Sequence, residues 1–118
     1  MILLPVIRES TARETLEYNV EPAIVAQVCQ DVLKRIGRVK SVSRESGTIT
    51  GKVYTSPLMT ATNIMLRIAR KESSTELSIQ TNRGEGLLTG NGAQKALAKF
   101  MKTMGKSTRL AGKSSGGW

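Results

Sequence analysis

The alternation of apolar and polar positions divides the chain into seven elements. Residues 14–20 place Leu16, Tyr18 and Val20 on one side and Thr15, Glu17 and Asn19 on the other, which predicts a strand. Pro22 then suits the first turn of a helix, where its missing N–H is no loss. Val25, Val28, Cys29, Val32, Leu33 and Ile36 recur at helical spacing up to Gly37, and Gln27, Gln30, Asp31, Lys34 and Arg35 fall mainly opposite them. Gly37 is expected to stop this helix in a left-handed conformation.

Two strands follow, at 38–44 and 48–54, joined by a turn at Glu45-Ser46-Gly47. Ile49, Gly51 and Val53 share one face of the second strand; Thr48, Thr50, Lys52 and Tyr54 share the other. Ser56-Pro57 ends the pattern, and 55–61 reads as a loop. In 62–71, Ile64, Leu66 and Ile68 alternate with Met65, Arg67 and Ala69. In 75–82, Leu77, Ile79 and Thr81 alternate with Glu76, Ser78 and Gln80. Together these predict an antiparallel hairpin turning at Glu72-Ser73-Ser74. A glycine-rich loop over 83–91 leads to a last helix at 92–104, with Ala93, Leu97, Phe100, Met101 and Met104 on its apolar stripe.

The predicted fold is α+β, in the order β-α-β-β-β-β-α: an antiparallel four- to five-stranded sheet with two helices packed on one face. The other face stays open, with Thr15, Glu17, Thr48, Thr50, Lys52, Tyr54, Met65, Arg67, Ser78 and Gln80 on it. Such a polar, threonine-rich surface suits a solvated antiparallel sheet. One domain is expected at 14–104, preceded by an N-terminal arm at 1–13. It is followed by a basic tail at 105–118 whose glycine, serine and lysine content predicts disorder. The apolar run at 2–4 is interrupted by Pro5 and lacks a charged leading region, so the expectation is a cytoplasmic protein without a signal peptide.

Composition narrows the chemistry. The 118 residues contain no histidine, which removes the commonest general acid/base and the commonest metal ligand. The single cysteine, Cys29, excludes an internal disulfide and a cysteine-based zinc site within one chain, and its place on a helical apolar stripe marks it as a buried small hydrophobe. No cofactor is expected. Gly105-Lys106-Ser107 and Gly112-Lys113-Ser114 resemble the end of a P-loop, but Phe100 and Ser107 stand where that motif needs its first glycine. Gly84-Glu85-Gly86 with Gly90 is one residue off the dinucleotide-binding spacing, and no parallel strand follows the helix. Without histidine to activate a serine, and with only nine acidic residues dispersed along the chain, the expectation is a protein that is not an enzyme.

The net charge of +9 is unevenly spread: residues 1–33 sum to −3, residues 34–85 to +6 and residues 86–118 to +6. Lys95, Lys99 and Lys102 sit at i, i+4 and i+7 on the last helix, and Lys106, Arg109 and Lys113 continue into the tail. No acidic residue follows Glu85. This group is the candidate anion-binding site. Lys52, Tyr54 and Arg67 on the open sheet face form a second candidate, for phosphate contact plus base stacking, although sheet-based RNA binders usually offer two or three stacked aromatics. The leading functional reading is a non-catalytic binding or adaptor module for an anionic partner: nucleic acid, an anionic membrane surface or an acidic protein. The alternatives are a nucleic-acid-binding protein using the basic last helix and tail, and a structural protein that self-associates through its sheet edges or arm.

The stretch 41–54 (SVSRESGTITGKVY), the alternating pair after it, and the glycine loop running into the final helix (GLLTGNGAQKALAKFMKTM) resemble small uncharacterised bacterial α+β domains. In those, a strand, a helix and a four-stranded meander end in a C-terminal helix opened by a Gly-Asn or Gly-Lys step. The resemblance spans residues 14–104 and implies the same fold. It carries no catalytic residues with it.

Overall fold

The computed structural model describes residues 9–55, 61–85, 92–107 and 110. The elements run β1 (Glu9–Tyr18), α1 (Pro22–Ile36), β2 (Gly37–Ser43), β3 (Thr48–Tyr54), β4 (Ala61–Arg70), β5 (Thr75–Glu85) and α2 (Gly92–Met104). The five strands form one antiparallel sheet in the order β1-β5-β4-β3-β2, so β1 and β2 are its two edges.

One sheet face is apolar because the registers align the apolar half of each strand. Leu16 pairs with Leu77 and Leu77 with Ile68, while Ile79 pairs with Leu66 and Leu66 with Ile49. α1 packs over β2, β3 and β4, and α2 lies mainly over β1 and β5. Val25, Val28, Cys29, Val32 and Leu33 from α1 join Ala96, Leu97, Phe100 and Met104 from α2 in the same buried cluster as Ile49, Val53, Ile64, Leu66, Leu77 and Ile79. Both helices therefore cover the one face, as their stripes predicted. Phe100 is the largest side chain fully enclosed there.

α1 begins where Pro22 fixes the first turn and the carbonyl of Glu21 accepts from the N–H groups of Ile24 and Val25, at 3.0 and 3.2 Å. Its end corrects the sequence reading. Gly37 has φ −177°, an extended conformation and not a left-handed one. The residue passes straight into β2 opposite Val53, where a Cβ would stand 1.8 Å from the carbonyl oxygen of Lys52. Glycine is needed for close approach, not for chirality. The left-handed glycine is Gly47, at φ 67° in the turn between β2 and β3, and its carbonyl accepts the N–H of Ile68 at 2.8 Å.

Three strand boundaries move by two residues or more. β1 begins at Glu9, so residues 9–13 of the expected arm belong to the sheet, and β5 runs to Glu85, into the expected glycine loop. These extensions support each other, since Glu9 pairs with Glu85 across the β1–β5 ladder. At the other end β1 stops at Tyr18; Val20 lies beyond it but is buried, and its carbonyl accepts the Thr75 hydroxyl at 2.6 Å. Leu110, placed by the sequence in a disordered tail, is buried in the core cluster. Residues 1–8 and 111–118 of the expected arm and tail lie outside the described residues.

Among the described residues, three threonines lie in the interior. Thr75 and Thr81 are buried with hydroxyl partners, the latter donating to the carbonyl of Ala93 at 2.8 Å, but the Thr62 hydroxyl is fully buried without a hydrogen bond. An unmet hydroxyl in an apolar core is destabilising. Thr62→Val, close to isosteric, is expected to raise unfolding free energy by about 1 kcal/mol in a denaturant titration. Phe100→Ala is expected to lower it by about 3–5 kcal/mol in the same measurement, with the midpoint shifting and the slope unchanged.

Candidate functional site

α2 folds as a strongly two-sided helix. Ala93, Ala96, Leu97, Phe100 and Met104 are buried, while Lys95, Lys99 and Lys102 are exposed. The chain continues past Met104 in a turn held by bonds from the N–H groups of Gly105, Lys106 and Ser107 to the carbonyls of Met101, Thr103 and Met104, and this keeps Lys106 exposed beyond the last turn. At 100° per residue, positions 95, 99 and 102 fall within a sector of about 60°, and Lys106 follows in the turn after the helix. The lysines thus form a line along the solvent side of α2. Arg109 and Lys113 lie outside the described residues.

Lys99 has a further contact: its ammonium donates to the backbone carbonyl of Tyr54 at 2.5 Å. That bond ties the middle of the lysine line to the last residue of β3. It brings together one member of each candidate group, although Tyr54 contributes its backbone and not its ring.

The open sheet face is as expected in composition but not in grouping. Lys52 and Tyr54 are neighbours on β3, whereas Arg67 pairs with Thr48. Lys52 pairs with Asn63, so Arg67 lies four residues along β4, about 13 Å away at strand rise. The three do not form one cluster. Cross-strand register brings in residues that sequence reasoning missed. Arg38 stands directly opposite Lys52, an uncompensated like-charge pair that weakens the sheet locally. Arg13, Thr15, Met65, Arg67, Ser78 and Gln80 line a shallow depression of about 280 Å³. The signal for these partners is pairing register, which no single strand carries.

A larger hollow, of about 660 Å³, lies between α1 and the end of the β2–β3 hairpin. Ala23, Ala26, Val42, Ile49 and Ile68 line it together with Gln27, Gln30, Asp31, Lys34, Ser43 and Arg44, and Val42 is 44% exposed there. The sequence did not indicate it, because Val42 reads as an ordinary inward strand position.

Cys29 is buried, and burial pushes its thiol up to about 12 from an ordinary 9.0. Tyr18 is also raised to about 12, first by burial and then by its proximity to Cys29. Neither group is activated as a nucleophile or base at neutral pH. Among the described residues, no group of histidine, cysteine and carboxylate side chains is arranged to hold a metal ion, and no helix is long and apolar enough to cross a membrane. The two raised values have a consequence for stability. The folded state keeps both protons where the unfolded chain loses them, so their contribution is complete below pH ~9 and declines from there towards pH ~12. Cys29→Ala should blunt the fall in thermal midpoint over that window, read by circular dichroism.

No family model and no curated protein matches the sequence. The fold does match solved structures. Among them, the crystal structure of Ara h 8.0201 aligns with a TM-score of 0.60 at 7% identity, over 88% of this chain and 99% of that one. At that identity the likeness is one of fold and transfers no site residue. It agrees with the resemblance of residues 14–104 to small α+β domains at the level of architecture, an antiparallel sheet with helices on one face.

Proposed function

We propose that the protein is a non-catalytic binding module that holds a polyanion along the outer side of α2. The observation that carries this reading is the line of Lys95, Lys99 and Lys102, all exposed on a helix with no acidic residue, followed by exposed Lys106 in the turn after it, in a chain with no acidic residue after Glu85. The three helical ammonium groups, spaced by single turns, present charge about every 5–6 Å. That repeat suits a chain of phosphates or an anionic surface, and such contacts draw their free energy from released counterions. Lys102 in the last turn also complements the negative end of the helix, so the line is compatible with a stable α2.

The contact between Lys99 and Tyr54 supports the reading further. It ties one member of the line, Lys99, to the end of β3. Nothing on this side of α2 reads base edges; the surface offers ammonium groups and short polar side chains, so discrimination between sequences should be poor. Nucleic acid and anionic membrane surfaces share the chemistry that this line recognises.

The experiment is a titration of the full chain into a fluorescent single-stranded oligonucleotide and, separately, into vesicles with and without anionic lipid, across a series of salt concentrations. Binding is expected to weaken with a log–log salt slope of about −3 for a single strand if all four lysines engage. Replacing Lys95, Lys102 and Lys106 together by glutamate should abolish binding to both targets while the far-UV circular dichroism stays native; the lost helix-end charge at Lys102 lowers the thermal midpoint by a few degrees. Unchanged binding in that variant would overturn the reading. Preference for one target identifies the partner class.

A further inference from the structure

Among the described residues, the two edges of the sheet differ in kind. β2 is interrupted by a bulge between Val39 and Ser41, and its charged residues, Arg38 and Lys40, are both basic. Bulges and like charges are the ordinary means by which an edge resists pairing with a copy of itself. β1 lacks both. Its irregularity is confined to the step between Glu9 and Thr11, and from Thr11 to Tyr18 the register with β5 is continuous. Thr11, Arg13, Glu14, Thr15 and Glu17 are exposed, and the strand contains no proline, glycine or lysine.

The charges of β1 are self-complementary. Arg13 and Glu17 lie on the open face, two positions on either side of Thr15. Within its own sheet Arg13 faces the neutral Gln80, and Glu17 faces another carboxylate, Glu76. Glu76 is already engaged by Lys71 at 3.3 Å, and neither Arg13 nor Glu17 has an ionic partner among the described residues. We propose that β1 pairs antiparallel with β1 of a second copy about a twofold axis at Thr15, so that the two sheets continue into one. In that register Arg13 of each copy stands opposite Glu17 of the other, twice over. The arrangement supplies a cation to a carboxylate that now faces only its like. On the helix-bearing side it brings Ala12 opposite Tyr18 and Glu14 opposite Leu16, covering more of the two half-buried side chains, Leu16 and Tyr18. A twofold axis closes the assembly at two copies, whereas pairing β1 with β2 would propagate without end. The contact is the size of one strand, which gives a reversible dimer and not an obligate one.

Sedimentation velocity over a range of concentrations tests this on the full chain. Wild type is expected to show a monomer–dimer equilibrium. R13E and E17R should each weaken association about tenfold or more by setting like charges opposite one another, and R13E/E17R should restore it. A second measurement reads the register without relying on charge. The axis brings the two Thr15 residues within about 5.5 Å, inside disulfide range, but holds the two Thr11 residues about 26 Å apart. Thr15→Cys should therefore form a crosslinked dimer under mild oxidation and Thr11→Cys should not; the native Cys29 is buried and does not compete. A chain that stays monomeric at every concentration overturns the proposal. So do association that ignores both single charge reversals, growth beyond two copies, and equal crosslinking of the two cysteine variants.

Discussion

Everything in this molecule depends on the sheet having one wet side and one dry side. A strand alternates strictly, so each residue that faces the helices commits its neighbours to solvent. Five strands keep that commitment in phase, from Leu16 through Leu77 to Ile68 and from Ile79 through Leu66 to Ile49. A slip of one residue between any two strands would bury a row of threonine, glutamine and arginine beneath α1 and α2. Of the buried threonines, Thr62 is the one left without a hydrogen bond; it is small enough to be tolerated and lies where β4 begins.

Much of this was legible in the sequence because the period-2 pattern is strongest where a strand is covered along its length. β3, β4 and the middle of β5 are covered in that way, and both helices were recovered from their apolar stripes. The start of β1 was not legible. Thr11, Arg13 and Thr15 alternate with Ala12 and Glu14, and Glu14 is polar and exposed although it lies on the helix-bearing side. With a small alanine and a carboxylate in its inward positions, that end of the strand has no hydrophobic signature to read. Leu110 was missed for a related reason: a single apolar residue among glycine, serine and lysine gives no period, yet one side chain is enough to pin a chain to a core.

The candidate site divides along the same line. The lysines of α2 could be grouped from sequence because helical spacing is local. Lys52, Tyr54 and Arg67 could be assigned to a face but not to one another, because their separation depends on which residues of β3 and β4 stand opposite. The juxtaposition of Arg38 with Lys52 and the contact of Lys99 with Tyr54 both join residues far apart in the chain. Charge therefore has two origins here. One is written along a helix and the other is assembled only when the sheet closes.

The pairing of β1 with β5 also shapes how the chain reaches its folded form. β2 to β5 pair with their sequence neighbours, and a meander of that kind can form by short loop closures. β1 must wait, since Tyr18 meets Thr75 and Glu9 meets Glu85. During synthesis the first strand therefore emerges long before its partner. Until residue 85 has appeared, Leu16 and Tyr18 belong to a chain with no sheet to join, and the meander exposes β5 as an open edge. Of all the strand pairings, this one closes the longest loop and carries the largest entropic cost of closure.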